Sequence, residues 1–518
     1  MNRDEMVSRI KNTVEPWDFV VIGGGATGLG CAIEAASRGY QTLLLERDDF
    51  SKGTSSRSTK LIHGGVRYLQ QGNVSLVLEA LRERGRLRRN APHLVHNLPF
   101  VVPSYDWWEG PFYGIGLKLY DMLAGKHGFG HSRFLSRETT RQYLPTVETE
   151  GLRGGVIYYD GQFDDSRLAV NMAQTAADQS ATLVNYMNVT GLIREKQMTA
   201  GVRAKDMETG AEYEIRAKSV INATGVFTDQ VLRMDDPGAR QIIVPSQGVH
   251  LVLDASFLPG DKAIMVPHTA DGRVLFATPW HDKVIVGTTD TMVDKILDEP
   301  RPLENEIEFL LSHAAQYLTK DPDASDVLSI FAGLRPLVNQ GDGDSTAALS
   351  RDHTIYISRS GLVTITGGKW TTFRKMAEET IDQAAMVAHL DERPCVSHDL
   401  HIHGYHNHTE KFGDLAVYGA DAAGIRDLCY QRPELKKQIH PAFPTIAAEA
   451  VWAVKHEMAR TVEDFLARRT RALLLDARAS IEAAEEAARL MAGELGQDEN
   501  WIRREIKSYQ SLARGYFL

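Results

Sequence analysis

Cysteine is scarce: the 518-residue chain holds three, Cys31, Cys395 and Cys429, set far apart. That spacing excludes a disulfide framework and the paired ligands of zinc sites, so no metal site is expected and a reducing, cytosolic-side location is. No stretch approaches the about 18 consecutive apolar residues that cross a bilayer, so any membrane contact is expected to be peripheral. The first residues, MNRDEMVSRIKNTVEPWDF, mix charges of both signs and lack a secretory apolar core, which predicts a protein that is not exported. A positive balance is missing too: a net charge of −10 argues against general nucleic-acid binding. Low-complexity segments and internal repeats are absent.

What is present is a globular composition, 43% hydrophobic and 24% charged, in a chain longer than one core usually supports. Several domains are expected. From Asp18 to Glu46 an apolar run, Phe19-Val20-Val21-Ile22, passes through glycines into a helix-like stretch ending near Gly39, then into a second apolar run, Thr42 to Leu45. This reads as a βαβ unit. Within it Gly23-Gly24-Gly25-Ala26-Thr27-Gly28 fits G-x-G-x-x-G: Gly23 for the tight turn, Gly25 for close approach of backbone to a pyrophosphate, and Gly28 for helix–strand packing. The helix N-terminus favours the anion. Glu46, at the end of the second strand, stands where a carboxylate accepts hydrogen bonds from ribose and disfavours a 2′-phosphate. FAD or NAD is indicated. FAD is preferred because the unit lies near the N-terminus and a second glycine turn, Val220-Ile221-Asn222-Ala223-Thr224-Gly225, follows much later. Asn188-Val189-Thr190 is a candidate for backbone contacts to adenine, or a plain strand end.

Elsewhere the pattern is coarser. Short β-like runs at Ser219-Val220-Ile221, Val249 to Leu253, Val274 to Ala277 and Val284-Ile285-Val286 point to a substrate-side antiparallel sheet. After about residue 395 the chain reads as helical: Val451, Val454, Met458, Val462 and Phe465 recur at helical spacing, as do Ile502, Ile506 and Tyr509.

The string Thr54-Ser55-Ser56-Arg57-Ser58-Thr59-Lys60-Leu61-Ile62-His63-Gly64-Gly65-Val66-Arg67-Tyr68-Leu69 carries a resemblance. With Ala91-Pro92-His93-Leu94, Asp164-Asp165-Ser166-Arg167-Leu168, Asn222-Ala223-Thr224-Gly225, Gly287-Thr288-Thr289-Asp290, Gly333-Leu334-Arg335-Pro336-Leu337 and Gly367-Gly368-Lys369-Trp370-Thr371-Thr372-Phe373-Arg374, it resembles the FAD-dependent glycerol-3-phosphate dehydrogenases, within the D-amino-acid-oxidase-like flavoproteins. The matches run in family order from about residue 18 to 375. Arg57, Thr59 and Trp370 depart from the commoner residues of that family.

The resemblance implies an α/β architecture, α+β overall: a Rossmann-like FAD-binding domain interleaved with an antiparallel-sheet substrate domain, plus an all-α C-terminal domain. Residues 1–395 form the oxidoreductase region, with FAD-binding segments at about 16–75, 150–230 and 330–385 and substrate or cap segments at about 76–149 and 231–329. Residues 396–518 form the helical domain. It further implies oxidation of sn-glycerol 3-phosphate to dihydroxyacetone phosphate, with electrons passed to a quinone at a membrane surface.

Such chemistry needs a hydride acceptor, a base and cations for the phosphate. Arg335 and Lys369 are the phosphate candidates, a guanidinium binding bidentately and an ammonium as a point charge. Arg67, Tyr68 and Arg351 complete the pocket as the resemblance implies. His63 and His250 are candidates for the base, because histidine titrates near neutrality. The remaining cofactor candidates are Ala26, Thr27, Arg47, Thr54, Ser55, Ser58, Thr59, Lys60, Leu61, Gly64, Gly65, Val189, Ala223, Thr224, Gly225, Gly333, Gly368 and Thr371. Glu79 to Arg89 is a basic run suited to anionic lipid, and Trp107, Trp108, Phe112, Tyr113, Leu117, Leu119 and Tyr120 form an apolar cluster suited to headgroup depth. The setting that the resemblance implies is cytoplasmic, peripheral on the cytoplasmic face of the inner membrane, with a homodimer as a further expectation. The alternatives are an oxygen-reducing glycerol-3-phosphate oxidase, an amine or amino-acid oxidase on the same fold, and an inactive FAD-binding scaffold.

Overall fold

A computed structural model describes residues 1–65, 73–106, 109–266, 274–339 and 352–518; for 110–112 and 126 it describes the backbone. Two sheets organise it. The first is 8-stranded, and its parallel core runs Val363–Gly367, Glu212–Asn222, Trp17–Ile22, Thr42–Leu45, Thr182–Val184. Phe19, Val20, Val21, Leu43 and Leu44 are completely buried, which is why these strands read as unbroken apolar runs rather than alternating ones. Helix Ala26–Ser37 covers the sheet and packs against helices Phe373–Val387 and Asp165–Asp178. Its small residues permit this: a Cβ added at Gly30 would meet Phe373 at 2.9 Å. The expected βαβ unit is therefore present, in the register Phe19↔Thr42 to Ile22↔Leu45.

Strand Glu212–Asn222 belongs to two layers. Its first half closes an antiparallel meander with Met187–Glu195 and Met198–Asp206, and its second half pairs with Trp17–Ile22. Ser219-Val220-Ile221 thus lies in the cofactor-side sheet, a correction to its expected place in the substrate sheet. A short apolar run has the same appearance in either layer, and only its partners decide.

The second sheet is 10-stranded and mixed. Ile243–Asp254 pairs antiparallel with Val327–Val338, Lys283–Gly287 and Thr291–Met292; Leu275–Trp280 and Ala263–Val266 continue it. Ala263–Val266 then pairs in parallel with Val95–Ser104, which pairs with Gly154–Phe163. The three expected runs between 249 and 286 are here, joined by strands from the 95–163 stretch.

The C-terminal region is helical: Ala422–Gln431, Ala447–His456, Ala477–Leu495 and Glu499–Ala513 are its main helices. Ile502 and Tyr509 face its core as their spacing predicts, with Ile506 partly buried against it. The series Val451 to Phe465 does not lie on one helix. The helix ends at His456, Met458 takes φ +55°, and a π-turn spans Asp464–Arg469. The break brings the buried Glu457 carboxylate onto Arg167, with both guanidinium NH groups at 2.8 Å. A continuous helix would leave that arginine without its counter-charge.

His403 ties this region to the cofactor side. Its ring bonds Asp178 of helix Asp165–Asp178 at 2.6 Å and Asp421 at 3.0 Å. Burial alone would lower its pKa, but the two carboxylates more than offset burial and push it up to about 9. A folded pKa above the ordinary value of about 6.5 gives stability that is complete below that pH and lost as pH rises through about 9. The unfolding free-energy difference between wild type and His403→Ala is therefore expected to be larger at about pH 6 than at about pH 9.5, measured by chemical denaturation. A difference independent of pH would contradict the charged bridge.

Candidate active site

The glycine turn sits at the carboxyl end of the first strand, between the ends of its two parallel neighbours. Gly23 has φ +106°, its N–H bonds the Leu45 carbonyl at 2.9 Å, and the Ala223 N–H bonds Ile22 at 3.0 Å. A Cβ added at Gly28 would lie 1.9 Å from the Gly23 carbonyl oxygen, so helix Ala26–Ser37 starts this close to the turn only with glycine there. The helix begins at Gly25 without a side-chain cap of its own. Its Ala26 N–H donates instead to Ser55 Oγ at 2.9 Å.

The Glu46 carboxylate accepts from the Gly24 N–H at 2.5 Å and the Asp48 N–H at 2.9 Å. Burial pushes it up to about 7 despite those bonds. The meander starts beside it, with the Met187 N–H on the Glu46 carbonyl at 2.7 Å. Val189 lies two residues into that strand, next to a register shift that ends at Gly191. Asn188-Val189-Thr190 is thus strand interior, bulged, rather than a strand end. Arg47 pairs with Asp48 and Asp298 and covers the Phe227 ring at 5.0 Å. Thr224 caps back onto Asn222 Oδ1 at 2.7 Å, and Gly225 has φ +58°. A helix start with no N-cap side chain of its own, a glycine turn and an acid at the neighbouring strand end fit a dinucleotide pyrophosphate and ribose.

Residues 54–65 leave this turn and cross to the second sheet. Thr54 Oγ1 donates to the Leu334 carbonyl at 2.6 Å, and the Ser55 carbonyl accepts from Trp370 Nε1 at 2.9 Å. Ser58 donates through its N–H and its hydroxyl to Asp165 Oδ2, at 3.1 and 2.7 Å. Lys60, fully buried with φ +62°, places Nζ 2.8 and 2.7 Å from the two oxygens of the equally buried Asp165, and 2.7 Å from the Ser56 carbonyl. Burial lowers the lysine and raises the carboxyl, and their pairing opposes both. The ammonium lies 5.2 Å from the ring centroids of both Trp280 and Phe331. The side chains of Lys60 and Ser58 are thereby committed to Asp165, and the Lys60 backbone is engaged as well, its N–H donating to Ser58 Oγ at 3.0 Å and its carbonyl accepting from the Phe163 N–H at 3.0 Å. Leu61 pairs with Gln162, the His63 carbonyl accepts from Thr371 Oγ1 at 3.3 Å, and the Gly64 N–H donates to Tyr120 Oη at 2.8 Å; Gly65 follows with φ +76°.

On the second sheet His250 is buried, stacked 4.8 Å from Phe331, with Nε2 2.9 Å from Thr59 Oγ1. Its pKa is held well below the ordinary value, first by burial and then by Arg335 and Lys60. Arg335, on the neighbouring strand opposite Ser246 and four residues beyond Phe331, the cross-strand partner of His250, donates to Thr288 Oγ1 at 3.1 Å and to the Thr289 carbonyl at 3.0 Å, and lies 3.4 Å from Asp290. It fits because Gly248 is bare: a Cβ there would meet its guanidinium at 2.4 Å. Gly333 pairs with Gly248 and passes under the Arg57 backbone, where a Cβ would sit 2.8 Å from the carbonyl oxygen. Lys369 and Gly368 lie after strand Val363–Gly367, beside the start of helix Phe373–Val387, in a cavity of about 170 Å³ shared with Asn73, Glu79 and His353.

Thr59, Lys60, His63, His250, Arg335 and the glycine turn therefore converge on the junction of the two sheets. Arg67, Tyr68 and Arg351 lie outside the described residues, as do Trp107, Trp108 and the side chain of Phe112. Among the described residues no His, Cys, Asp or Glu group is arranged to hold a metal ion. The spacing of the motifs did not reveal that Asp165 is the counter-ion of Lys60, that Trp370 braces Ser55, or that Tyr120 holds Gly64. Arg57, which departs from the commoner family residue, binds Glu299 through NH2 at 2.9 and 2.8 Å.

The sequence and the fold are similar to those of known proteins. The family model described as "FAD dependent oxidoreductase" matches residues 18–374, and that described as "C-terminal domain of alpha-glycerophosphate oxidase" matches 362–501. The chain is 41% identical over 542 residues to the mitochondrial glycerol-3-phosphate dehydrogenase of Bos taurus, covering 98% of this chain and 74% of that one. It is 41% identical over 534 residues to a probable mitochondrial glycerol-3-phosphate dehydrogenase of Caenorhabditis elegans, covering 97% and 73%. The chain belongs to the FAD-dependent oxidoreductase family, among its glycerol-3-phosphate dehydrogenases. A solved structure of the Bacillus halodurans glycerol-3-phosphate dehydrogenase complexed with FAD superposes with TM-score 0.81 at 30% identity, covering 99% of this chain and 97% of that one. The FAD-bound L-alpha-glycerophosphate oxidase of Mycoplasma pneumoniae shares the fold, at TM-score 0.56 and 15% identity over 75% and 98%. This dehydrogenase uses FAD.

Proposed function

We propose that the protein oxidises sn-glycerol 3-phosphate at C2 to dihydroxyacetone phosphate and passes the electrons to a membrane quinone. The observation that carries the reading is Arg335, a guanidinium 27% exposed and fixed on the 288–290 loop next to a buried neutral imidazole, in a chain 41% identical over 98% of its length to a glycerol-3-phosphate dehydrogenase. Arg335 and Lys369 hold the phosphate, joined by Arg67, Tyr68 and Arg351. Glu46 accepts from the ribose hydroxyls, and the N-terminus of helix Ala26–Ser37 faces the pyrophosphate. FAD, when bound, supplies the hydride acceptor.

The proton goes to a neutral base. His250 suits that task in a substrate-dependent way: burial first, and then Arg335 and Lys60, depress its basicity in the free protein, and a phosphate dianion on Arg335 cancels one of the two cationic contributions. Thr59, bonded to Nε2, fixes the ring. His63 is the second candidate.

Membrane contact rests on helix Glu109–Ala124. Tyr113, Leu117 and Tyr120 are core, whereas Ile115, Leu119 and Met122, at helical spacing, are 71%, 41% and 72% exposed, and Phe134 beside them is 53% exposed. The 79–89 run is a less suitable lipid face than its sequence suggests: Arg84 is buried on Asp160, Arg86 pairs with Glu83, and Arg89 with Asp399. No helix among the described residues is long and apolar enough to cross a membrane.

Arg335→Ala is expected to lower kcat/KM for glycerol 3-phosphate by about 10- to 100-fold, the worth of a charge-assisted hydrogen bond, with flavin content unchanged. Unchanged kcat/KM removes Arg335 from the site. With quinone embedded in anionic vesicles, turnover is expected to exceed that with oxygen, and Met122→Glu to lower it without affecting a water-soluble quinone analogue. Faster turnover with oxygen would favour the oxidase reading instead.

A further inference from the structure

One of the places where the C-terminal region meets the cofactor side is the loop after Glu46. Asp49 lies three residues beyond Glu46, on the loop that returns the chain to the glycine turn. The Ser51 N–H closes that loop on the Gly24 carbonyl at 2.9 Å, and the Lys52 N–H closes it on the Asp49 carbonyl at 3.2 Å. The Asp49 carboxylate is completely buried and points away from the turn, into the π-turn Asp464–Arg469. Arg469 binds both of its oxygens, NH1 to Oδ2 at 2.6 Å and NH2 to Oδ1 at 2.9 Å, and Arg468 Nε binds Oδ2 at 2.6 Å. Burial would raise this carboxyl; the two guanidiniums hold it below the usual range.

Each arginine is in turn held by its own region. Arg469 NH2 donates to the Glu457 carbonyl at 2.7 Å, and Arg468 reaches Glu463 and Asp464 at 2.7 Å each. Tyr186 closes the opposite side: its N–H holds the Asp48 carbonyl at 2.9 Å while its hydroxyl donates to Asp464 at 2.6 Å. Lys52 pairs with Glu463 at 3.2 Å, so the loop is gripped at residues 48, 49 and 52. Such a concentration of buried charge is costly to assemble, and a hydrophobic contact of equal size would dock two domains as well. What the charges add is directional, bidentate fixation of one short loop.

We propose that residues 457–469 act as a clamp on the 46–52 loop, and that the C-terminal region thereby sets how firmly the adenosine end of FAD is retained. The inference rests on the reading of Glu46 as the ribose ligand. Loosening Asp49 lets Glu46, and the glycine turn that the Ser51 N–H holds through the Gly24 carbonyl, drift from the positions at which they meet the dinucleotide. The clamp acts on retention and not on hydride transfer, because no member of it belongs to the junction of the two sheets.

The test is the rate at which FAD leaves the holoenzyme on dilution, followed by the rise in free-flavin fluorescence well below each variant's unfolding midpoint. Three variants are compared with wild type. Arg469→Lys keeps the charge but loses the bidentate grip, Tyr186→Phe removes one hydroxyl and serves should the first fail to fold, and Glu46→Gln probes the ribose reading. Release about tenfold faster in Arg469→Lys and faster in Tyr186→Phe, with KM for glycerol 3-phosphate unchanged in excess FAD, is the expected result. Faster release in Glu46→Gln alone overturns the clamp and leaves the ribose reading standing. Wild-type release in all three overturns both.

Discussion

Everything at the junction depends on one buried ion pair. Lys60 and Asp165 are both fully buried, and Ser58 adds its hydroxyl and N–H to the same carboxylate. Removing either charged partner leaves the other unpaired in a low-dielectric interior, which typically costs about 3–5 kcal/mol. The pair pins the 54–65 segment where it leaves the first sheet and meets the second. From that fixed point Ser55 reaches the helix N-terminus, Thr54 the strand Val327–Val338, and Thr59 the imidazole of His250. A segment so pinned gives the two sheets one rigid geometry, which transfer of a hydride between bound partners requires.

The same economy governs the outer shell. Asp164, next to Asp165, caps the helix Asp165–Asp178 and binds His281 and Arg471, while Arg167 on that helix meets Glu457 and covers the Tyr418 ring at 4.3 Å. The Asp164-to-Leu168 string is thus a joint between the sheets and the helical C-terminal region, and its charged residues face inward.

The cofactor half was legible because close approach of backbone to backbone allows only glycine, at spacings the chain cannot alter. Gly23, Gly28 and Glu46 are readable in that sense, and the parallel register follows from them. The ion pairs were not. Lys60 and Asp165 are 105 residues apart, Arg469 and Asp49 420, and no local pattern encodes which charges will meet. The C-terminal periodicity predicted apolar faces correctly and missed the break after His456, because the break is set by the buried Glu457 rather than by any helix-stopping residue. The exposed apolar face of helix Glu109–Ala124 was half legible: the cluster was visible, but which side chains face inward depends on the helix's packing. Arg67, Tyr68 and Arg351 rest on the family resemblance, outside the described residues.

The most direct measurement is an anaerobic absorbance titration of the purified yellow protein with sn-glycerol 3-phosphate. The account predicts that the flavin bleaches with this substrate and not with glycine or other amino acids. A flavin that stays oxidised with glycerol 3-phosphate, or one that bleaches with an amino acid, would contradict it while leaving the FAD site intact.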